Sequence, residues 1–326
     1  MHSLDTLLVC NTQHQKLGLE LSSLLQIPLI YTANTSVCIN KHVFILHSAS
    51  ANFPSSSSTI ISANSAFLQL LAMVRQAQFN HARRITVITP SLPYARQDKQ
   101  IDGLCEPITA KLVAQMLQVA GASDLLCVEL HSAQIQAFFD IPVHPLSING
   151  YLAALIEEEI IGSCSSSITN ENIVVVSPDV GGVSRATEVG KLLGCPVAVI
   201  YKERNCLKAN SVSRMLLVGD VKGKVAVIVD DMVDTCGTLL LAGETLIRDG
   251  GASSVHAVAV HGILSGGAIE RIEKSEWIDS VLVSNSVPIA IAENDSLCSS
   301  GTMKKEKIRV FSIGPMLASA IEQHMT

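Results

Sequence analysis

The stretch Lys224–Thr238 has the sequence KVAVIVDDMVDTCGT, and it predicts the fold class of the chain. An apolar strand leads to two adjacent carboxylates, Asp230 and Asp231, and a tight turn then opens a helix. A strand that is apolar on both faces is typical of a parallel sheet covered by helices on both sides. Such sheets bind ligands at the carboxyl ends of their strands, so this turn is the first candidate site.

Similar β-branched runs alternate with helical patterns along the chain, which predicts a doubly wound α/β architecture with mainly parallel sheets. The predicted helices include Pro107–Ala120, Gly150–Ile161, Thr238–Asp249 and Pro315–Thr326. The predicted strands are Leu7–Cys10, Val43–Leu46, Ile85–Thr89, Leu125–Leu130, Ile173–Ser177, Val197–Tyr201, Val225–Asp230, Val255–His261, Val281–Ser284 and Ile308–Phe311.

The alternation runs through twice, which predicts two tandem domains, residues 1–150 and 151–326. A chain of 326 residues is long for one core and natural for two domains of ordinary size. For the final helix, Pro315–Thr326, packing against the first domain is one option.

Composition and charge exclude several classes of protein. Hydrophobic residues make up 48% of the chain and charged residues 16%, which is a globular composition. The net charge of −6 argues against a protein that binds nucleic acid. Nine cysteines without a C-x-x-C pair favour free thiols in a reducing, cytoplasmic compartment. We expect no signal peptide and no membrane span, because no apolar run approaches roughly 20 residues.

The turn after the carboxylates has the chemistry of a phosphate cradle. Its backbone amides, its two hydroxyls and the following helix N-terminus suit a phosphate dianion. Asp230 and Asp231 cannot hold the same phosphate, since like charges repel, but they suit the hydrogen bonds of a vicinal diol. A sugar phosphate satisfies both halves, while a capped turn with two solvated acids is the alternative. The cradle residues are Asp234, Thr235, Cys236, Gly237 and Thr238.

Asp230–Thr238 resembles the phosphoribosyl-diphosphate loop of type I phosphoribosyltransferases and of phosphoribosyl-diphosphate synthases, the ribose-phosphate diphosphokinases. Further segments are similar to the synthases, in the family's order and at about its spacing. They are Pro93–Lys99 (PYARQDK), Glu129–Gln136 (ELHSAQIQ), Phe138–Pro142 (FFDIP), Ser177–Gly182 (SPDVGG) and Lys202–Arg204 (KER). The resemblance covers roughly Arg83 to the C-terminus and implies two tandem phosphoribosyltransferase-like domains.

The resemblance implies an enzyme of nucleotide biosynthesis that moves the diphosphate of ATP to O1 of ribose 5-phosphate. It also implies that Arg96, Gln97, Asp98 and Lys99 bind ATP. Arginine pairs well with phosphates, and glutamine can form hydrogen bonds with an adenine edge. Without the resemblance, the triplet Arg96-Gln97-Asp98 would more often be a solvated turn.

For the cofactor Mg²⁺, the resemblance makes His131 and Asp179 candidate ligands, with Glu129 and Asp140 as weaker candidates. Carboxylates with open positions suit Mg²⁺, whereas imidazole is not a preferred ligand.

Lys202 and Arg204 begin a polar stretch, Lys202–Arg214, that closes over the active site in the family. Two cations there suit catalysis, since they offset charge on the transferred diphosphate. A mobile surface loop is the alternative. The nearby segment Gly219–Lys224 (GDVKGK) has the wrong spacing for a P-loop and predicts a charged turn.

The N-terminal region departs from the family. The usual Phe-x-Asp/Asn-x-Glu hairpin is missing from Pro28–Lys41, Cys105 replaces an arginine and His144–Pro145 replaces Asp-Asn. These changes concern adenine recognition and the family's regulatory site. A homo-oligomer or a hetero-oligomer with sibling subunits is expected. Two alternatives stay open: a non-catalytic regulatory partner of a synthase, and a nucleobase phosphoribosyltransferase, which needs one domain and no ATP loop.

Overall fold

The computed structural model describes residues 5–31, 36–49, 53–54, 60–100, 103, 105–162, 170–204, 212–289 and 307–325. The chain divides into two compact units. Unit 1 comprises Met1–Leu146, Asn285–Ala290 and Ser312–Thr326, and unit 2 comprises Ser147–Ser284 and Ile291–Phe311. Compactness does not test whether each unit folds alone, so the domain boundary near residue 150 stays a prediction.

The described strands are β1 (Thr6–Cys10), β2 (Leu29–Tyr31), β3 (His42–Leu46), β4 (Phe53–Pro54), β5 (Ile60–Ile61), β6 (Arg84–Ile88), β7 (Asp124–Val128), β8 (Val143–Leu146), β9 (Ile173–Ser177), β10 (Val197–Arg204), β11 (Val212–Val218), β12 (Val225–Val233), β13 (Ser254–Gly262), β14 (Ser280–Ser284) and β15 (Ile308–Phe311). The described α-helices are α1 (Gln15–Leu25), α2 (Ala63–Phe79), α3 (Thr109–Ala120), α4 (Asn149–Leu155), α5 (Val183–Leu193), α6 (Gly237–Glu244), α7 (Ala268–Lys274) and α8 (Gly314–Met325). Two helices continue as π-helical segments, α4 through Ile156–Ile161 and α6 through Thr245–Asp249.

The strands form because their apolar, β-branched residues fill both faces of a parallel sheet. Strands β1, β3, β7 and β9 are buried along their whole length, as helix-covered parallel strands require. Helices α3 and α5 end at glycines in the left-handed conformation, Gly121 at φ 111° and Gly194 at φ 67°. Glycine adopts this conformation without a Cβ clash, so it stops the helix at low cost.

Unit 1 is built on a parallel sheet whose described strands lie in the order β2-β1-β3-β6-β7-β8. Strand β1 lies between β2 and β3, so the winding of the sheet reverses between β1 and β3. The final helix, α8, packs against α1 within this unit, where the Ser312 hydroxyl lies 2.7 Å from the Glu20 carboxylate oxygens.

Unit 2 is built on a second sheet, with the described strands in the order β11-β10-β9-β12-β13-β14-β15. Neighbouring strands are parallel, except that β10 and β11 are antiparallel. The winding reverses between β9 and β12, which makes this pair the topological switch point of unit 2. The predicted doubly wound α/β architecture is confirmed in both units.

The predicted strands are all present, with ends that differ from the prediction by up to three residues. Two differences affect the site. Strand β12 continues past Asp230 to Val233 because β13 keeps pairing with it, and β10 continues past Tyr201 to Arg204 because β11 pairs with it.

The turn at Gly219–Lys224 is charged as predicted, since the Lys224 ammonium lies 3.1 Å from the Asp220 carboxylate. Within the described residues, no helix has the length and hydropathy needed to cross a membrane.

Two histidines form a buried pair where β1 and β3 end. His14 is 2% exposed and His47 is 0% exposed, and their ring centroids lie 5.9 Å apart. The Ser48 amide donates a hydrogen bond of 2.7 Å to Nε2 of His14. Burial lowers the pKa of His14 to about 3 and the pKa of His47 to about 4. Both rings are therefore neutral in the folded protein at neutral pH.

This pair predicts a loss of stability in mild acid. In the unfolded chain a histidine takes up a proton near its ordinary pKa of 6.5, whereas the folded protein keeps His14 and His47 neutral. The stability that these two histidines contribute is thus constant above this pH and falls below it. We expect the contribution of this pair to the free energy of unfolding to drop by about 2 kcal/mol per histidine between about pH 7.5 and about pH 5, measured by urea denaturation of the wild-type chain and the variants below.

The His47→Leu variant should lose less stability in acid than the wild-type chain, because its unfolded state has one histidine fewer to take up a proton that the folded protein does not bind. His81→Asn, at an exposed histidine, is the control and should leave the pH dependence unchanged. An equal acid loss in His47→Leu and the wild-type chain contradicts the assignment.

A pair of helical glycines predicts opposite responses to the same change. An added Cβ on Gly190 would lie 2.6 Å from Cγ2 of Val197 and 3.2 Å from the Cys195 oxygen. We expect Gly190→Ala to lower the free energy of unfolding by about 1–2 kcal/mol in thermal or urea unfolding. Gly150→Ala is the control, since its added Cβ meets no described atom within 4 Å, and it should gain up to about 1 kcal/mol. Equal effects of the two changes would exclude overpacking at Gly190.

Candidate active site

The candidate site of unit 2 lies where β12 loses one of its neighbours. Pairing of β12 with β9 ends at Ile228, whereas pairing with β13 continues to Val233. The last residues of β12, including Asp230 and Asp231, are therefore bordered by a strand on one side only. This opening is at the carboxyl edge of the switch point, the position where doubly wound sheets bind ligands.

Asp230 and Asp231 form a close acidic pair at this edge. The Asp231 amide donates a hydrogen bond of 2.9 Å to Oδ1 of Asp230, and Asp231 is 7% exposed. Burial and then the negative charge of Asp231 raise the pKa of Asp230, with a smaller contribution from Asp179. The negative charges of Asp231 and Asp179 thus favour the protonated form of Asp230. Such an acidic pair favours ligands that donate hydrogen bonds or carry positive charge.

The turn after β12 has the open surface that a phosphate needs. Thr235, Gly237 and Thr238 are exposed, while Cys236 is buried and holds a left-handed φ of 64°. A Cβ added to Gly237 would meet no described atom within 4 Å. The beginning of α6 is therefore uncovered, and its first amides are accessible to an anion.

Asp179 follows β9 and shapes the entry into α5. Its Oδ1 accepts a hydrogen bond of 3.1 Å from the Gly182 amide, and its backbone oxygen accepts one of 2.6 Å from the Ser177 hydroxyl. These contacts give Asp179 a structural role in the turn. Because β9 and β12 are parallel neighbours, the same turn brings Asp179 to the edge that carries Asp230 and Asp231.

Lys202 and Arg204 lie on β10, where they pair with Met215 and Val212 of β11. The prediction that the strand ends at Tyr201 and a polar loop begins at Lys202 is therefore wrong in its bounds. Backbone pairing between β10 and β11 extends both strands into the polar stretch. Residues 205–211 of the predicted loop lie outside the described residues, and the roles of Lys202 and Arg204 stay predictions.

In unit 1, Arg96, Gln97, Asp98 and Lys99 lie in the connection between β6 and α3. The Gln97 amide bonds to the Tyr94 oxygen at 2.9 Å, and the Ala110 amide bonds to the Gln97 oxygen at 3.2 Å. These bonds hold the backbone of the turn, while Arg96, Gln97 and Lys99 are exposed. The arrangement is open to a nucleotide, and ATP binding stays a prediction.

Glu129 and His131 follow β7, the neighbour of β6, and so lie at the same edge of the unit 1 sheet as Arg96. Glu129 has a left-handed φ of 48°, and its amide bonds to the Leu146 oxygen at 3.0 Å. A non-glycine residue rarely adopts this conformation, and such strain concentrates at functional sites. His131 is exposed just beyond it.

Asp140 lies at the opposite edge of that sheet. Its amide bonds to Oε1 of Gln118 at 2.7 Å, and its carboxylate accepts a bond of 3.1 Å from Nε2 of the same side chain. Just after Asp140, the Pro142 oxygen accepts the amide of Leu125 at the start of β7. The length of β7, about 13 Å, thus separates Asp140 from Glu129. The structure does not bring Asp140 together with Glu129 and His131. Within the described residues, no three His, Cys, Asp or Glu side chains are grouped to hold a metal ion.

One contact at the site has no signal in the sequence. The Ser265 hydroxyl donates a hydrogen bond to the Asp234 carboxylate from the loop between β13 and α7. The two residues lie 31 positions apart, so only the pairing of β12 with β13 brings their loops together.

The fold and the site define the class of protein. Two doubly wound α/β units, with an acidic strand end and a phosphate-type turn at a switch point, are the architecture of phosphoribosyltransferase-like proteins.

Comparison with known proteins then gives the family. The model of the N-terminal domain of ribose phosphate pyrophosphokinase matches residues 7–121, and the model of the phosphoribosyl synthetase-associated domain matches residues 206–325. Ribose-phosphate pyrophosphokinase 2 of Schizosaccharomyces pombe is 45% identical over 262 residues, which are 80% of this chain and 75% of that protein. A crystal structure of phosphoribosylpyrophosphate synthetase from Mycobacterium smegmatis has a TM-score of 0.76, with 33% identity over 98% of each chain.

The chain belongs to the ribose-phosphate pyrophosphokinase family. The resemblance predicted from the sequence is confirmed. It also extends further than predicted, since the N-terminal match begins at residue 7 rather than near Arg83.

Proposed function

We propose that this protein is a ribose-phosphate diphosphokinase, which transfers the β,γ-diphosphate of ATP to O1 of ribose 5-phosphate and releases AMP. The observation that carries the proposal is the end of β12, where an acidic pair precedes an uncovered turn at a switch point. The S. pombe relative named ribose-phosphate pyrophosphokinase supports the same activity. We place the protein in the cytoplasm, where free cysteines persist.

Ribose 5-phosphate is proposed to bind with its phosphate on the turn Asp234–Thr238. The amides and hydroxyls of that turn, together with the start of α6, donate hydrogen bonds to the dianion. The vicinal hydroxyls of the ribose donate to Asp230 and Asp231. This placement supplies donors to carboxylates that otherwise repel one another. The alternative transferase reaction does not account for the exposed Arg96–Lys99 turn and the adjacent strained Glu129.

The nucleotide is proposed to bind through Arg96, Gln97, Asp98 and Lys99. Glu129 in unit 1 and Asp179 in unit 2 each carry a carboxylate, the hard oxygen donor that Mg²⁺ prefers, and His131 is a further candidate in unit 1. Mg²⁺ binds one or two carboxylates and completes its shell with water and phosphate oxygens, so a single carboxylate in either unit fits this ion. When bound, Mg²⁺ neutralises phosphate charge. We leave Asp140 out of the ligand set because its carboxylate is engaged with Gln118 at the other edge of the sheet.

The reaction needs positioning and charge neutralisation rather than a covalent intermediate. The anomeric hydroxyl of ribose 5-phosphate attacks the β-phosphorus, the new bond joins O1 to that phosphorus, and the bond to the α-phosphate oxygen breaks. AMP leaves with the bridging oxygen, and the hydroxyl proton passes to solvent. Asp230, Asp231 and the turn hold the sugar, while Lys202 and Arg204 offset charge on the diphosphate.

The first test is AMP release from ATP and ribose 5-phosphate with Mg²⁺, with and without inorganic phosphate. We expect the wild-type chain to release AMP and to form phosphoribosyl diphosphate in equal amounts. Asp231→Asn should raise the KM for ribose 5-phosphate about tenfold or more, because it weakens a charge-assisted hydrogen bond. Asp220→Asn, in the exposed charged turn, is the matched control and should behave as wild type.

The same assay separates the alternatives. Release of AMP only when a sibling subunit is added identifies a regulatory partner in a hetero-oligomer, which the altered Pro28–Lys41 segment favours. Formation of nucleotides from phosphoribosyl diphosphate and free bases, without AMP release from ATP, identifies a phosphoribosyltransferase. Either result refutes the proposed synthase activity of the chain alone.

The two cations of β10 are proposed to act on the transition state. Lys202→Ala and Arg204→Ala should each lower kcat by about 10²–10³-fold, because each removes a donor to developing charge. Affinity for ribose 5-phosphate, measured by calorimetry, should change far less. Lys222→Ala, in the nearby turn, serves as the control. Loss of ribose 5-phosphate binding with turnover intact contradicts this role.

A further inference from the structure

The phosphate turn carries a negative charge of its own on Asp234. A phosphate dianion held by the amides of the same turn is repelled by a carboxylate a few ångströms away. The direction of the Asp234 side chain therefore affects the affinity for a sugar phosphate. A contact that sets this direction affects binding without touching the ligand.

Such a contact comes from the neighbouring loop. The Asp234 carboxylate accepts a hydrogen bond from the Ser265 hydroxyl. Ser265 lies between β13 and α7, and both side chains are partly buried. Hydrogen bonds to charged groups are the stronger class, so this bond holds the carboxylate toward the β13–α7 loop.

The backbone joins the same two segments. The amides of Ile263 and Leu264 both donate to the Val233 oxygen, at 2.9 Å and 3.0 Å. Val233 directly precedes Asp234 in the chain. The β13–α7 loop is thus fastened to the turn at two successive residues, by its backbone at Val233 and by the Ser265 side chain at Asp234.

The loop also adopts a costly conformation. Leu264 has φ 49°, Gly266 has φ 59° and Gly267 has φ 77°, all left-handed. Glycine tolerates this region, but leucine rarely adopts it, and such a residue persists only where its surroundings hold it. Leu264 is 9% exposed and is held by its amide bond to Val233. The backbone that presents Ser265 to Asp234 is therefore strongly constrained.

We propose that Ser265 is a positioning residue for sugar-phosphate binding, and that its hydroxyl holds the Asp234 carboxylate away from the bound phosphate. This proposal rests on the proposed function of the turn. Ser265 acts through Asp234, so its loss affects ribose 5-phosphate and not ATP.

Steady-state kinetics and calorimetry on the full chain test the proposal. Ser265→Ala should raise both the KM and the Kd of ribose 5-phosphate by about tenfold, with the KM for ATP changed less than about twofold. Ser265→Thr keeps the hydroxyl and should restore affinity to within about threefold of wild type. Ser275→Ala is the matched control, because its hydroxyl accepts the Trp277 amide at the far end of α7. It should leave all constants unchanged.

A double-mutant cycle identifies the partner. Asp234→Asn removes the negative charge, so the effect of Ser265→Ala on ribose 5-phosphate affinity should shrink to less than about threefold in that background. Equal effects of Ser265→Ala in both backgrounds overturn the proposal. So does a parallel rise in the KM of both substrates, or failure of Ser265→Thr to recover binding, since these outcomes mark a merely structural serine.

The cycle also separates the two proposals. If the wild-type chain binds ribose 5-phosphate and releases AMP while Ser265→Ala binds it equally well, the positioning role fails and the proposed function stands. If the wild-type chain shows neither binding nor AMP release, alone or with a sibling subunit, the proposed function fails and the role of Ser265 fails with it.

Discussion

The one-sided pairing of β12 is the constraint on which the candidate site depends. Beyond Ile228 the strand keeps its hydrogen bonds to β13 and loses those to β9. The pairing that remains, at Asp230 and again at Met232, holds the backbone around the two carboxylates, whereas the pairing with β9 has already ended. If β9 also paired with this end of β12, its backbone would cover the edge that carries the two carboxylates. If neither strand paired there, the backbone that positions the carboxylates would not be fixed.

Electrostatics then decide what this space can hold. Burial, and then the negative charges of Asp231 and Asp179, raise the pKa of Asp230. A bare anion is unfavourable there, and a neutral polyol or a cation is favourable. The exposed amides of the adjoining turn have the opposite preference. A phosphorylated sugar satisfies both the acidic pair and the amides at once. The Ser265 hydroxyl draws one further carboxylate, that of Asp234, toward the β13–α7 loop.

The two units share an architecture but differ in the residues at their switch points. In unit 2 the switch point carries acids and an open turn, whereas in unit 1 the corresponding reversal, between β1 and β3, is filled by the buried neutral pair His14 and His47. The polar residues of unit 1 proposed for ATP lie further along the sheet, after β6 and β7. Similar windings thus place a packed core at one switch point and a candidate binding site at the other.

The sequence by itself determined the α/β class and the strands, because periodic burial and β-branched runs are local properties of a few neighbouring residues. It also indicated the family, through short motifs whose residues adjoin in the chain. Only the tertiary structure decided that β12 and β10 extend by pairing, that Asp140 lies at the edge away from Glu129, and that Ser265 reaches Asp234. Each of these depends on which strands become neighbours. Hydrogen bonds between segments far apart in the chain produce no periodic pattern in the sequence.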